Sequence, residues 1–353
     1  MKAVGRTEFY VLREINLPIQ QFLYIIVLYI TNEQMKQGFF ILSMLLLQIS
    51  VLSQQRPQFT QYMLNKYNEN PAYGGLERSL SVFTSFRDQY SDFPGNPKTF
   101  YFGADMPFYL WNGAVGMTFM NQKAGVFSNS NLRISYNYVL GLPFGFLSFG
   151  GRVGIDYLNV DGSGIITPQG NYEGTFNHND PILEQTNFRG VGPSWELGSY
   201  FMGRNLQAGL TISEFPSHRY TVGSSKYTRA FNASLFVMYK IKLDENIEIS
   251  PSCLIKADAA VVQADIGAIA NINQSLTAGI NLRGYSTSSF DALSVIIGTN
   301  LGKKYKVYYS FDFGLSELRK VNQGTHEIML TYNLQKLIGI GLPPKIIYNP
   351  RDL

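Results

Sequence analysis

The sequence predicts an all-β protein, a transmembrane outer-membrane β-barrel of about 14 antiparallel strands with an N-terminal periplasmic or plug segment in front of it. Three observations carry this. Charged residues are only 15% of the 353 and aromatics are 14%, whereas soluble domains carry roughly 25% charge. Mean hydropathy is nevertheless close to zero, as happens when apolar and polar residues alternate instead of gathering in runs. The alternation has a period of two and is sustained over segments of ~9–11 residues, the length a tilted strand needs to cross a bilayer.

The first 53 residues do not share this pattern. Ile15 to Ile30 holds an apolar run broken by Pro18, Gln20 and Gln21, about 14 residues against the ~20 of a spanning helix. From Met35, Lys36 supplies a positive n-region, Phe39 to Leu47 with Ile49 an apolar h-region, and Val51-Leu52-Ser53 a small-residue cleavage site. The expectation is that residues 1–34 are an upstream extension, that 35–53 are a signal peptide and that the mature chain begins at Gln54. An N-terminal anchor with an internal apolar helix is the competing reading.

Residues 54–78 lack strand alternation and carry Asn-Pro and Gly-Gly breakers. Phe59, Tyr62, Met63, Leu64, Tyr67 and Tyr73 make this stretch too apolar for a solvated tail, so it is expected to dock on or in the barrel, assigned to 79–334. Strands are expected near 79–87, 98–106, 112–122, 130–140, 145–158, 193–203, 205–213, 228–241, 246–257, 259–270, 275–285, 291–301, 304–313 and 324–334. In the cleanest, Leu132, Ile134, Tyr136, Tyr138 and Leu140 face one way, and Asn131, Arg133, Ser135, Asn137 and Val139 the other. Connections after even-numbered strands are short, and those after odd-numbered strands are mostly longer, Asn159–Gly192 and Glu214–Tyr227 most of all. Bacterial barrels have short periplasmic turns and long outer loops, so both termini, with a tail at 335–353, are expected in the periplasm. The short join at Asp258 breaks the parity and suggests a misplaced strand boundary. A soluble β-sandwich would have strands of ~5–6 residues and no need of a continuous aromatic-rich face.

Little points to catalysis. A net charge of +4 without a Lys/Arg block excludes nucleic acid as partner. One cysteine, Cys253, allows no internal disulfide, and three scattered histidines make no metal cluster. His178, with Asn177, Asn179, Asp180 and Glu173 nearby, lacks the regular ligand spacing of a Ca²⁺ loop, and no nucleophile lies beside a base. No enzyme activity, cofactor, metal or small-molecule substrate is therefore expected. Inward charges of both signs, among them Arg87, Arg133, Arg152, Glu196, Asp265, Arg283 and Asp312, suit a filled or narrow lumen better than an ion-selective pore.

Two motifs add a more specific expectation. Pro57-Gln58-Phe59-x-Gln61-Tyr62 runs on to Asn70-Pro71-Ala72-Tyr73, and Arg87-Asp88 is followed by Pro94-Gly95-x-Pro97. With His326-Glu327 in the last strand and a closing Asn349-Pro350-Arg351, nearly all of the mature chain resembles the PorP/SprF family of outer-membrane proteins of the type IX secretion system. Asn65-Lys66-Tyr67 departs from the Asn-Pro that the family favours, which puts the local turn in doubt. The resemblance implies a barrel that assists export or surface attachment of particular cargo proteins, including gliding-motility adhesins. The partners it implies are translocon components, secreted cargo and outer-membrane lipid. It also marks Pro57, Gln58, Phe59, Gln61, Tyr62, Asn70, Pro71, Ala72, Arg87, Asp88, Pro94, Gly95, Pro97, His326 and Glu327 as motif positions for partner or plug contacts. A hydrophobic-substrate channel with an N-terminal hatch is the alternative.

Overall fold

The computed structural model describes residues 57–338, except 109–110, 163–164, 166–186, 224, 259–260 and 286–287. The leader, the His178 loop and Asn349-Pro350-Arg351 therefore lie outside the described residues. Period-two alternation becomes strands β1 (Ser81–Asp88), β2 (Lys98–Phe108), β3 (Gly113–Ala124), β4 (Phe127–Leu142), β5 (Gly145–Val160), β6 (Phe188–Gly203) and β7 (Leu206–Ser213). A separate hairpin follows, β8 (His218–Val222) and β9 (Ser225–Arg229). The sheet resumes with β10 (Asn232–Tyr239), β11 (Ile241–Lys242), β12 (Ile247–Asp258), β13 (Val262–Ile272) and β14 (Leu276–Tyr285). It ends with β15 (Ser288–Leu301), β16 (Tyr305–Gly314) and β17 (Thr325–Asn333).

Each wall strand pairs antiparallel with its sequence neighbours, and β1 pairs with β17 to close the sheet. Strands β10 and β11 meet β12 in one register, so they act as a single strand interrupted at Lys240. The wall is thus a 14-stranded antiparallel barrel. Closure joins the first strand to the last, so the wall has no open sheet edge along its length, the condition for strands to stand in lipid.

The two faces separate as the pattern requires. Leu132, Ile134, Tyr136, Tyr138 and Leu140 are exposed on the outside, while Asn131, Arg133 and Asn137 are buried inside. On β14, Ile280 is 59% exposed and its neighbour Asn281 1%. At one rim, where β1 begins and β17 ends, connections are two to four residues long, and Phe108, Trp111 and Tyr136 form an outward aromatic group with centroids 5.4 and 6.0 Å apart. The other rim carries the long connections, although 125–126, 259–261 and 286–287 are short there too. The boundary at Asp258 was indeed misplaced: β12 runs to Asp258 and β13 begins at Val262, three residues later than expected, yet the join stays short, with the Asp258 carboxylate accepting the Val261 N–H at 2.8 Å. The β8–β9 hairpin was not announced by alternation, and β9 takes up Thr228 and Arg229, which were expected to open the next wall strand, now beginning at Asn232. The hairpin packs Tyr220 and Val222 against Leu158 and Val160.

Candidate functional site

The lumen is occupied by the chain's own N-terminal stretch, residues 57–80. A Cα-to-Cα step of 3.8 Å lets it cross from one rim to the other, and its residues are specialised for the passage. Asn65 caps a one-turn helix, α1 (Lys66–Glu69), by accepting the Asn68 N–H at 3.2 Å. Asn70, forced extended by the proline that follows it, ends that helix at φ −148°, ψ 119°. It then caps the 3₁₀ turn Pro71–Tyr73 by accepting the Ala72 N–H at 2.9 Å. Gly75 at φ +69° turns the chain toward β1 where a Cβ would meet Ala114 at 2.3 Å.

At the long-loop end the stretch is held by ion-paired residues from five strands. Thr60 donates its hydroxyl to Asp312 at 2.7 Å and accepts from Arg87 at 2.9 Å and Arg283 at 3.3 Å, which uses its one hydrogen and two lone pairs. Its backbone N–H donates to Glu327 at 2.8 Å. Arg87 bridges Asp312 and Glu327 at 2.7 and 2.9 Å, and Arg283 pairs with Asp265 at 2.8 Å. Gln61 donates to Ser310 and to the Glu327 carbonyl, both at 3.1 Å, and Gln58 joins Arg283 and Tyr285.

Midway, Tyr62 lies edge-on to Phe236 with centroids 6.1 Å apart, and its hydroxyl meets Ser252 at 3.1 Å. Arg152 covers the Tyr67 ring at 4.7 Å, donates to the Tyr67 carbonyl at 2.5 Å and pairs with Glu196 at 3.1 Å. Glu69 pairs with Lys256 at 3.3 Å. Further along, Asn70 donates to the carbonyls of Ser199 and Leu210 at 2.9 and 3.1 Å, Asn137 donates to that of Gly74 at 2.9 Å, and Asp105 accepts the Gly75 N–H at 2.7 Å. Half-buried Lys66, outside the strands, is pushed down to about 8 by burial, with Lys240 nearby adding to the effect.

The direction of travel follows from these partners. Pro57 borders a cavity of about 300 Å³ with Gln122, Phe127 and Asn232, at the long-loop rim. Glu77, by contrast, accepts from Ser81 at 3.2 Å and Asn333 at 2.9 Å at the short-turn rim. The first described residue and the end of the last strand therefore lie at opposite rims, so the expectation that both ends of the mature chain share one side does not hold at Pro57.

The family described as "Type IX secretion system membrane protein PorP/SprF" matches residues 51–332. The chain belongs to that family. No curated protein matches it. Among solved structures it is similar to the Acinetobacter baumannii outer-membrane protein Omp33, at 10% identity and TM-score 0.43, over 73% of this chain and 99% of that one. The CymD monoaromatic hydrocarbon channel gives 9% and 0.47 over 78% and 94%, and the Pseudomonas putida toluene transporter TodX 12% and 0.42 over 76% and 93%. Likenesses this distant carry no functional argument.

In this PorP/SprF protein the motif positions divide into three groups. Gln58, Gln61, Arg87 and Glu327 meet in the buried ion-pair network, and Phe59 packs edge-on to Tyr101 at 6.0 Å beside it. Asn70, Pro71 and Ala72 shape the far end of the plug, with Tyr62 between. Pro57 begins the plug beside the rim cavity, and the rest stand apart from both. Asp88 accepts from Asn96 at 2.5 Å and Ser91 at 3.2 Å, and Pro94, Gly95 (φ +73°) and Pro97 shape the connection between β1 and β2. His326 faces outward, its Nδ1 2.7 Å from the Tyr309 hydroxyl. Period-two geometry thus sends the adjacent His326 and Glu327 to opposite sides of the wall. Thr60, the unassigned position in Phe59-x-Gln61, was missed, as were Asp105 and Asn137. Single polar residues inside an alternating strand give no hint of which of them touches the plug.

Proposed function

We propose that this PorP/SprF barrel serves the type IX secretion system as a closed, non-catalytic accessory subunit, assisting export or surface attachment of particular cargo proteins such as gliding-motility adhesins. The supporting observation is the filled lumen. The plug is pinned by Arg87, Asp312, Glu327, Arg283 and Asp265, each at most 3% exposed. Breaking one such buried pair costs about 3–5 kcal/mol, so threading cargo or solute through this lumen would cost several of these at once. A barrel so closed works through its surfaces. With the long loops outward, the end of β17 faces the periplasm and Pro57 the outer rim. The motif loop 89–97 and the β8–β9 hairpin are then the parts offered to surface cargo.

The test compares a deletion strain with the same strain complemented by the wild-type protein. Loss of surface adhesins without a change in small-solute uptake is expected in the deletion, with the adhesins restored on complementation. Normal cargo at the surface together with lost uptake of apolar solutes would overturn the proposal in favour of a channel with a hatch.

A further inference from the structure

The lipid-facing wall carries a row of polar residues at its long-loop rim. His326 is in register with Asp88, Asp88 with Lys98, Lys98 with Lys123, Lys123 with Ser128, Ser128 with Asn159, and Asn159 with Arg189. All seven face outward, since their strand neighbours Glu327, Arg87, Thr99 and Leu158 are buried inside and Gln122 and Asn129 line the inner cavity.

Two of these residues stand directly opposite each other with the same charge. Cross-strand partners lie ≈ 4.5–5.5 Å apart at Cβ, and like charges there are destabilising. Among the described residues, neither Lys98, Lys123 nor Arg189 makes an ion pair. Asp88, the acid next in register to Lys98, gives its carboxylate to Asn96 and Ser91 instead.

Height along the wall says what meets them. Lys98 opens the 11-residue β2, and Lys123 is the last but one of the 12 residues of β3. Both thus sit one bilayer crossing, ~9–11 residues, from the short-turn rim. Just inside them Phe100 and Phe119 face outward with ring centroids 6.4 Å apart. Strands β4, β5 and β6 run to 16 residues each and carry Ser128, Asn159 and Arg189 further out. On the strand ends farther round this rim Ile255, Val262, Phe290 and Phe313 are exposed and apolar, whereas the connection between β16 and β17 carries exposed Glu317, Arg319 and Lys320, of which Lys320 is paired with Glu317. Among the described residues, the Lys98–Lys123 pair is the one in which two like charges face each other across a strand pair, and it lies at headgroup depth, above an aromatic floor.

We propose that this face of β2 and β3 binds the phosphate of a membrane lipid headgroup between Lys98 and Lys123, with Arg189 beyond it and the acyl chains against Phe100 and Phe119. A phosphate there relieves the repulsion and takes two charge-assisted hydrogen bonds. The site is independent of any role in secretion.

The experiment places the full-length barrel in phosphatidylcholine nanodiscs, with or without bis-phosphorylated lipid A, and reads the temperature at which its heat-modifiable gel shift is lost, with native mass spectrometry for retained lipid. Lipid A is expected to raise that temperature and to co-purify with the wild type and with a control, Lys303→Gln/Lys304→Gln, at the opposite rim. Inorganic phosphate should do neither. Lys98→Gln/Lys123→Gln should fold, since it removes a repulsion, but lose both the shift and the lipid. Lys123→Gln alone should weaken lipid retention about fivefold, the worth of one cation at an anionic surface. Retention of the shift by the double variant, or an equal shift with inorganic phosphate, would overturn the site.

Discussion

Thr60 shows how much one small side chain can organise. Its hydroxyl is the meeting point of Asp312, Arg87 and Arg283, none of which reaches water. Thr60→Val keeps the shape and removes the hydrogen bonds, leaving buried polar groups short of a partner. Such a loss costs about 1–3 kcal/mol, whereas Thr60→Ser should cost far less; urea unfolding in lipid would compare them. Lys66 supplies a pH dependence. Its folded-state pKa lies at about 8, below the ordinary lysine value of 10.5, so the unfolded chain holds the proton more tightly. The penalty on folding is fully present below about 8 and fades as pH rises toward 10.5. Lys66→Met should therefore be more stable than the wild type at neutral pH, with the difference closing in alkali. A gap that widened with pH would contradict this account of Lys66.

Among the elements, β14 separates what the two faces of a strand tolerate. Ile280→Arg places a charge in lipid and should destabilise by about 2–4 kcal/mol near the midplane. An open lumen would absorb Asn281→Arg readily. Here Asn281 donates to Asp265 at 3.1 Å and lies against Tyr62, so a larger cation would crowd the plug. Equilibrium unfolding should show both variants weakened, with protease cleavage between Pro57 and Tyr67 appearing only in Asn281→Arg. The connections predict orientation: an epitope at Gly170 should be reachable on intact cells, and one at Asp244-Glu245 should not. Equal labelling of both would refute the outward placement of the long loops.

For the whole molecule, the filled lumen separates the stability of the wall from that of the plug. The wall is closed by backbone pairing through every strand, and without the plug Arg87, Asp312 and Glu327 still have one another. Deleting Gln55–Tyr67 should leave a folded, heat-modifiable barrel that has lost secretion or gained ion conductance in planar bilayers. Normal secretion with no added conductance would mean that the plug seals nothing and carries no function.

Much of the wall was legible in the sequence because a strand writes its two environments into alternate residues. Leu132 to Leu140 against Asn131 to Asn137 announces β4, its register and its lipid face without any knowledge of the neighbours. The apolar content of Phe59, Tyr62 and Tyr67 likewise showed that residues 54–78 needed cover, and the mixed inward charges pointed to a filled lumen. What alternation could not convey was which groups meet. Thr60, Arg87, Arg283, Asp312 and Glu327 span 267 residues of chain and become neighbours only when the barrel closes β17 onto β1. Closure also decided that Pro57 lies at the rim opposite Asn333, and that Lys98 stands beside Lys123. Pairing partners and the path of a threaded segment depend on contacts distant in sequence, and a local period of two carries no information about them.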